Sequence, residues 1–179
     1  MRFLIVALLS ASAVSVAQDA SNALKHAEST GAALFNAFNS KDFAGSQDIK
    51  NIDALERAIN AQKCPGTVVS LILLPDRQHA SEVFAVSGVP DEGKLVIGKH
   101  FKTTIHEGVA DIESLSASTK SCLILTINPK AAALMTTELI SATPTEFHVL
   151  ETKLHKIPLY VGAGGQVWAV RDGSIRKVE

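Results

Sequence analysis

An apolar segment opens the chain and decides which residues remain to build a folded domain. Arg2 is followed by an apolar run over residues 3–9 and then by small side chains. Ser15 and Ala17 lie three and one residues before Gln18, which is the spacing that signal peptidase accepts. The segment therefore indicates a secretory signal peptide that is removed on export.

A retained membrane anchor is the alternative interpretation of this segment. A helix needs about 20 apolar residues to cross a bilayer, and the run over residues 3–9 is much shorter. Cleavage of residues 1–17 would leave residues 18–179 as a single globular domain with no membrane span. We expect this mature chain to be secreted or extracellular, or periplasmic if the source is a Gram-negative bacterium.

The composition excludes several classes of partner. The 17 basic and 18 acidic residues are interspersed and give a formal net charge of −1, so no basic stripe indicates nucleic-acid binding. Aromatic residues make up 5% of the chain, which argues against a stacking surface for bases or sugars. A hydrophobic content of 46% argues against disorder. We expect a folded domain without a nucleic-acid partner.

The chain contains two cysteines, Cys64 and Cys122. Two thiols in an oxidising compartment usually pair, and closing a loop of this length would stabilise the fold by about 4 kcal/mol in the chain-entropy model. Two separate buried thiols are the alternative, because pairing depends on geometry that a sequence does not contain. Two cysteines are also too few for a closed zinc site.

Apolar periodicity predicts helices early in the chain and strands after them. Helical spacing covers residues 21–38 and 52–59, and a single helical turn is predicted over residues 111–115. Strands are predicted at residues 67–74, 83–86, 95–97, 121–127, 147–150 and 157–161, and Asp172-Gly173 predicts a hairpin between 166–171 and 174–178. The first and fourth of these strands are apolar on both faces, which is typical of buried, central strands. The order indicates an α+β fold with early helices followed by a mostly antiparallel β-sheet sandwich.

Residues 131–139 are compatible with two structures. Asn128-Pro129 is typical of a helix start, with proline at the first helical position. Thr136-Thr137 and the later Ile140 favour an extended strand instead. The sequence leaves both alternatives open.

No motif in the sequence assigns a catalytic, cofactor-binding or metal-binding residue. The glycines of residues 162–165 do not fit a dinucleotide fingerprint and predict a hairpin loop. The six histidines include no His-x-x-x-His pair. An alternative polar site could be built from His100, His106, Glu107 and Asp111, but only if the fold brings these dispersed side chains together.

The order of these features resembles that of fasciclin-like (FAS1) domains of secreted and cell-surface proteins, over about residues 51–158. Residues 54–59 resemble the early helix of that family, residues 69–76 its first conserved strand and proline, residues 110–115 its Ala-Asp-Leu step, and residues 146–154 its closing motif. The individual residues that match the family motif are Pro75, Asp76, His100, Asp111 and His148.

The resemblance implies structural roles for these five residues. It also implies that residues 131–139 form a strand beside a closing strand that contains His148. The expected function is a non-catalytic binding or adhesion domain that meets a protein or polysaccharide at the cell surface or wall, without a cofactor. Loops carry recognition in such domains, and the candidate loops are residues 76–81, 99–107 and 162–165.

Two other functions remain open from the sequence. One is a small exported hydrolase that uses the dispersed histidine and carboxylate residues named above. The other is a secreted effector or inhibitor that binds one protein partner, which an exposed apolar patch of a few hundred Å² would favour.

Overall fold

The computed structural model of the chain describes residues 11–75, 81–91 and 93–179. Within these ranges the elements are α1 (Ala11–Ser40), α2 (Ile52–Asn60), β1 (Val68–Leu74), β2 (Ser81–Gly88), β3 (Lys94–Val96), β4 (Phe101–His106), β5 (Val109–Ala110), β6 (Ser116–Ala117), β7 (Ile124–Thr126), β8 (Leu134–Thr137), α3 (Glu146–His155), β9 (Leu159–Ala163), β10 (Gln166–Arg171) and β11 (Ser174–Lys177). The fold is α+β with mostly antiparallel strands, which confirms the coarse fold class.

The predicted signal peptide falls largely outside the described residues. Residues 1–10 are among those not described, and residues 11–17 are described only as backbone at the start of α1. None of the described helices has the length and hydropathy needed to cross a membrane.

The first sheet contains five strands in the order β1-β2-β4-β5, and β6 also pairs with β4. β1 and β2 are antiparallel along their full length, from Val68 opposite Gly88 to Leu74 opposite Glu82. The expected central position of the strand over residues 67–74 is therefore wrong, because β1 lies at an edge of the sheet. Its apolar run has another cause, since both faces of this sheet are covered by helices.

The second sheet has the order β11-β10-β9-β8. Its two hairpins are tight, because Asp172 and Gly173 have φ of 51° and 86° while Gly164 and Gly165 have φ of 58° and 73°, as a two-residue hairpin turn of type I′ requires. Both hairpin predictions are confirmed.

β8 pairs with β9 in parallel, and α3 connects the two strands. The extended alternative for residues 131–139 is therefore the one adopted, although only Leu134–Thr137 is strand.

Two predicted elements are shorter or looser than expected. The buried strand predicted over residues 121–127 is reduced to Ile124–Thr126, which pairs with β3 and is partly exposed. Residues 111–115 form a turn rather than a helical turn, because the backbone N–H groups of Glu113 and Ser114 donate to Asp111 Oδ1 at 3.0 and 3.3 Å.

Residues 147–150 are helical and do not form the expected closing strand. Phe147, Leu150 and Leu154 recur at helical spacing and pack on one cluster with the first sheet. The backbone N–H of Thr145, just before α3, donates to His148 Nδ1 at 3.0 Å, as in one half of a capping box. This local bonding fixes the start of the helix.

The core is layered, with α1 and α3 between the two main sheets. Leu34 of α1 and Phe147 of α3 pack on Ile72 of the first sheet, while Ala27 of α1 and Val149 of α3 pack on the second sheet. The helix α2 covers the other face of the first sheet. The fold therefore differs from the expected sandwich, since helices separate the sheets.

α1 and α3 approach each other closely at Gly31. A Cβ atom added at Gly31 would lie 2.5 Å from Val149 Cβ and 2.7 Å from the carbonyl oxygen of Glu146. Glycine has a low helix propensity, but its lack of a Cβ atom is what allows α1 and α3 to come this close at Gly31.

Cys64 and Cys122 form a disulfide with a Cα–Cα distance of 5.5 Å, which confirms that the two cysteines pair. The bridge joins the segment that follows α2 to the segment that precedes β7. It therefore ties the helix outside the first sheet to the small β3–β7 pair.

Candidate functional site

His100 is not brought together with the other three residues of the alternative polar site, which lie near one another around the β4–β5 hairpin. His100 is buried immediately before β4, whereas His106 is exposed at the end of that strand, so their Cα atoms are separated by about 20 Å at the rise of a β-strand. Glu107 is exposed in the turn after β4, and Asp111 is exposed in the turn described above. The buried His100 and the three exposed side chains therefore do not converge on one another.

The recognition loops expected from the sequence have different structures. Residues 99–107 are mostly the strand β4, whose side chains alternate between buried and partly exposed positions. Residues 162–165 are the tight β9–β10 hairpin. Pro75 is exposed after β1, and Asp76 lies outside the described residues, as does most of the loop over residues 76–81.

Polar side chains are instead concentrated on α3, between the sheets. Glu146, His148, Glu151 and Thr152 are each only 4% exposed. Buried polar groups are costly without partners, so each of them has to be accounted for.

His100 is held in one tautomer by two backbone groups. The N–H of Ser87 donates to Nδ1 at 3.1 Å, so the proton is on Nε2, which donates to the carbonyl oxygen of Val96 at 2.9 Å. The imidazole ring stacks on Phe147, with a centroid distance of 4.8 Å. Burial lowers the pKa of His100 below its ordinary value, although Glu151 and the Val96 carbonyl act in the opposite direction. The ring is therefore a neutral, structural group at neutral pH.

Glu151 lies between two histidines. Its Oε1 is 3.6 Å from His100 Nε2, and its Oε2 is 3.2 Å from His155 Nε2. His155 is one turn later on the same helix and is partly exposed, so it connects this buried carboxylate to the surface. Both oxygens of Glu151 thus have imidazole neighbours.

His148 and Glu138 form the least satisfied part of the cluster. Since His148 Nδ1 accepts from Thr145, its Nε2 carries the proton and lies 4.0 Å from Glu138 Oε2, which is too long for a hydrogen bond. Burial, and secondarily repulsion from His100, lower the pKa of His148 from 6.5 to about 4. His148 is therefore uncharged at neutral pH and supplies no cation to Glu138.

Glu138 uses only one of its two oxygens within the described part of the chain. Its Oε1 accepts from the backbone N–H groups of Ile140 and Ser141, at 2.6 and 3.3 Å. Its Oε2 is buried and has no hydrogen-bond partner there. The carboxylate is 4% exposed and keeps unused acceptor capacity.

A cavity of about 310 Å³ borders this carboxylate. It lies between α1, β6 and the segment that leads into α3, and its wall is mostly apolar. Glu146 also lines it and accepts from Lys102 Nζ at 3.0 Å. The apolar lining includes Ala23, Ala27, Ala117, Ile140, Pro144 and Phe147. Glu138, Glu146 and Lys102 are thus the charged residues that line this mostly apolar cavity.

A second surface feature lies at the outer edge of the second sheet. Met135, Leu139 and Ile140 are 66%, 80% and 53% exposed, and Tyr160 and Val167 are also exposed. The ladder places Met135 beside Tyr160, and a shallow groove connects Leu139 and Ile140 with the β9–β10 hairpin. These five side chains form one apolar patch around β8, which we name the β8 edge patch.

Sequence reasoning missed Glu138, Glu146 and Glu151 as members of a buried cluster. The available signal was the helical spacing of residues 147, 150 and 154 behind Thr145, which would have placed Glu146, His148 and Glu151 on one helix. Nothing in the sequence indicates that this helix is covered on all sides.

The described residues contain no group of three or more histidine, cysteine, aspartate or glutamate side chains that could hold a metal ion. The sequence matches no protein-family model, no curated protein and no solved structure.

Proposed function

We propose that the chain is an exported, non-catalytic binding domain, and that it binds an extended segment of a protein partner along the outer edge of β8. The observation that carries the proposal is a strand edge with free backbone groups next to exposed apolar side chains. Such an edge accepts a further strand through main-chain hydrogen bonds, and the neighbouring side chains supply specificity.

The backbone bonding defines the free edge. The N–H groups of Leu134 and Glu138 donate to the carbonyl oxygens of Pro158 and Gly162, at 2.9 and 2.8 Å. Successive residues of a strand bond to opposite sides, so the backbone groups of Met135 and Thr137 face away from β9. No described residue bonds to these outer groups.

Two other sheet edges, those of β11 and β1, are protected in ways that β8 is not. β11 ends its sheet with Arg176 and Lys177, and charged side chains discourage a further strand. The edge of β1 is partly covered, because the N–H of Ala44 donates to the carbonyl oxygen of Leu71 at 2.8 Å. β8 has no charged residue over Leu134–Thr137.

Two further observations support export and binding over catalysis. The Cys64–Cys122 disulfide fits an oxidising compartment, as the predicted signal peptide implies. His106, Glu107 and Asp111 are exposed on the β4–β5 hairpin and lie apart from the buried His100, which argues against an enclosed hydrolase site. The resemblance to fasciclin-like domains also implies a binding role. Intact-mass measurement on secreted material should give a chain that begins near Gln18.

Photo-crosslinking combined with hydrogen exchange tests the proposal. A photoreactive phenylalanine analogue replaces Met135 in the protein expressed and secreted by its source cells, and a control protein carries the analogue at Lys177 on β11. We expect a crosslink to one partner protein from position 135 alone. In the purified complex, amide exchange should slow at Met135 and Thr137 but not at Leu134, whose N–H is already bonded to β9.

Matched substitutions separate the β8 edge from general surface hydrophobicity. Met135→Lys should weaken partner binding about tenfold or more, since it places a charge at the edge. Val109→Lys makes the same change at an exposed valine of β5 and should leave binding unchanged. Equal crosslinking from both edges, crosslinking only to a second copy of the chain, or unchanged exchange at Met135 and Thr137 would each contradict the proposal.

A further inference from the structure

We propose that a hollow on the outer face of the second sheet binds one hexuronic acid residue of an acidic polysaccharide, that is, a sugar that carries a carboxylate. The hollow has a volume of about 360 Å³ and is lined by residues at the start of β9, at the end of β10 and on β11. It meets the β8 edge patch at Tyr160, but its charged residues belong to β10, β11 and the turn between them, at least two strands away from β8. Binding of the sugar therefore does not depend on the function proposed for the β8 edge.

The strand register places a small side chain in the middle of the hollow. Ala169 of β10 lies opposite Tyr160 of β9 on one side and Arg176 of β11 on the other. Val170 and Ile175, the chain neighbours of these residues on β10 and β11, are buried on the inner face. Because side chains alternate along a strand, the row from Tyr160 to Arg176 faces outward. A methyl group between two large side chains leaves the space above it open.

Two guanidinium groups line this space. Arg171 is two residues after Ala169 on the same face of β10, and it lies opposite Ser174. Arg171 and Arg176 are therefore diagonal neighbours, with Cα atoms about 7–8 Å apart, and side chains of this length can reach one ligand. Both are exposed. Within the described part of the chain, the ion pairs are made by lysines and histidines and engage neither arginine.

The charges of the lining indicate the class of ligand. A guanidinium group binds a carboxylate through two parallel N–H···O bonds. Asp172, in the turn between β10 and β11, is exposed and lines the same hollow. Its carboxylate accepts hydrogen bonds from hydroxyl groups and repels a phosphate, which carries more negative charge than a single carboxylate. A ligand with a carboxylate at one end and hydroxyl groups at the other satisfies both the arginines and the aspartate, and a hexuronic acid has this pattern.

The size and position of the hollow agree with a sugar that is part of a polymer. A water molecule takes about 30 Å³ in the liquid, so a volume of about 360 Å³ holds about 12 non-hydrogen atoms, which is the size of one hexuronic acid residue. The hydroxyl groups of Ser174 and Tyr160 offer further partners for ring hydroxyls. The hollow lies on the solvent side of the sheet, so a polysaccharide can pass over it without presenting a chain end.

Titration of the full chain with sodium glucuronate tests the site. Backbone amide NMR gives the Kd and locates the binding through shifts at residues 169–171 and 174–176. Glucose, inorganic phosphate and N-acetylglutamate amide are titrated in parallel, since they lack the carboxylate, the hydroxyl-bearing ring and the sugar, respectively. We expect glucuronate to bind in the millimolar range and about tenfold or more tightly than glucose, because charge-assisted hydrogen bonds are lost with the neutral sugar.

Arg171→Gln and Arg176→Gln should each weaken glucuronate binding about tenfold and leave glucose unchanged. Arg57→Gln is the matched control, since it removes the same charge from an exposed position on α2, and it should bind glucuronate as the wild type does. Asp172→Asn removes the negative charge but keeps a residue type that tolerates the φ of 51° in this turn. It should tighten phosphate binding several-fold, because the repulsion is gone.

A variant that fills the hollow tests its shape apart from its charge. Ala169→Leu leaves both arginines in place and should abolish glucuronate binding. The proposal is overturned if glucuronate gives no saturable shifts at tens of millimolar, or if neither arginine variant weakens its binding. It is equally overturned if glucose or phosphate binds as tightly, or if N-acetylglutamate amide does, which would indicate an acidic peptide instead of a sugar.

Discussion

Gly31 is the position where a single methyl group should disturb the packing of the two central helices. Gly31→Ala would place its Cβ 2.5 and 2.6 Å from Val149 side-chain atoms and 2.7 Å from the Glu146 carbonyl oxygen. Carbon atoms normally approach to about 3.5–4.0 Å, so α1 and α3 must separate by about 1 Å. Overpacking of this kind costs about 1–3 kcal/mol, while replacing glycine inside a helix returns about 1 kcal/mol. Contacts of 2.5–2.7 Å put the overpacking cost in the upper half of that range, at about 2–3 kcal/mol, so the net expectation is a loss of about 1–2 kcal/mol.

Urea denaturation followed by circular dichroism measures this loss, and thermal melts should show a Tm lower by about 3–6 °C for a chain of this size. Asn36→Ala is the control, since Asn36 is exposed on the same helix and its replacement should raise stability by a few tenths of a kcal/mol. A Gly31→Ala variant that is as stable as the wild type, or more stable, would contradict a close contact between α1 and α3 at this position.

Three further predictions concern stability. Replacing Cys64 and Cys122 together by alanine should lower the free energy of unfolding by about 4 kcal/mol in urea titrations, because the bridge closes a long loop, and a loss below about 1 kcal/mol would contradict this. The pKa of His148 is lower in the folded than in the unfolded state, so its contribution is complete above pH 6.5 and is lost as the pH falls towards 4. Urea titrations over this range should show that the free energy of unfolding falls by about 3 kcal/mol. His148→Gln keeps an acceptor for the N–H of Thr145 and should remove that share of the pH dependence. If the pH dependence of stability is the same in this variant, the assignment to His148 is refuted. Lys156 ends α3 with φ of 53°, a left-handed conformation that glycine adopts without strain, so Lys156→Gly should raise the Tm by about 2–4 °C in calorimetry, and a lower Tm would speak against this account.

Local signals in the sequence were sufficient for elements that depend on neighbouring residues. The hairpin at Asp172-Gly173 follows from the need for positive φ at both turn positions, and the helix over residues 52–59 follows from its apolar spacing. The edge position of β1 could not be read in this way. An apolar run on both faces of a strand indicates that both faces of the sheet are covered, and here helices cover them. It does not indicate whether the strand is central or at an edge.

The segment around His148 shows why the site was missed. Phe-His-Val-Leu has strong strand propensity, but the cap at Thr145 and the spacing of residues 147, 150 and 154 favour a helix, and tertiary packing selected the helix. Oε2 of Glu138 lacks a hydrogen-bond partner because His148 Nε2 is 4.0 Å away. His148 lies ten residues later in the chain and on α3, whereas Glu138 follows β8. Such a distance is a property of the assembled fold and leaves no pattern in the sequence.

The parallel pairing of β8 with β9 has a consequence for the order in which the second sheet assembles. β9, β10 and β11 follow one another through two-residue turns, and hairpins of this kind form in about 1–10 μs. β8 cannot pair with β9 through a short turn, because residues 138–158, including the whole of α3, lie between the two strands. We therefore expect β8 to join the sheet after α3 has docked, and to open at a lower free energy than the three-stranded meander beside it. On this expectation, the position next to β9 is the one in the second sheet that a strand can leave and re-enter while the rest of the core stays folded.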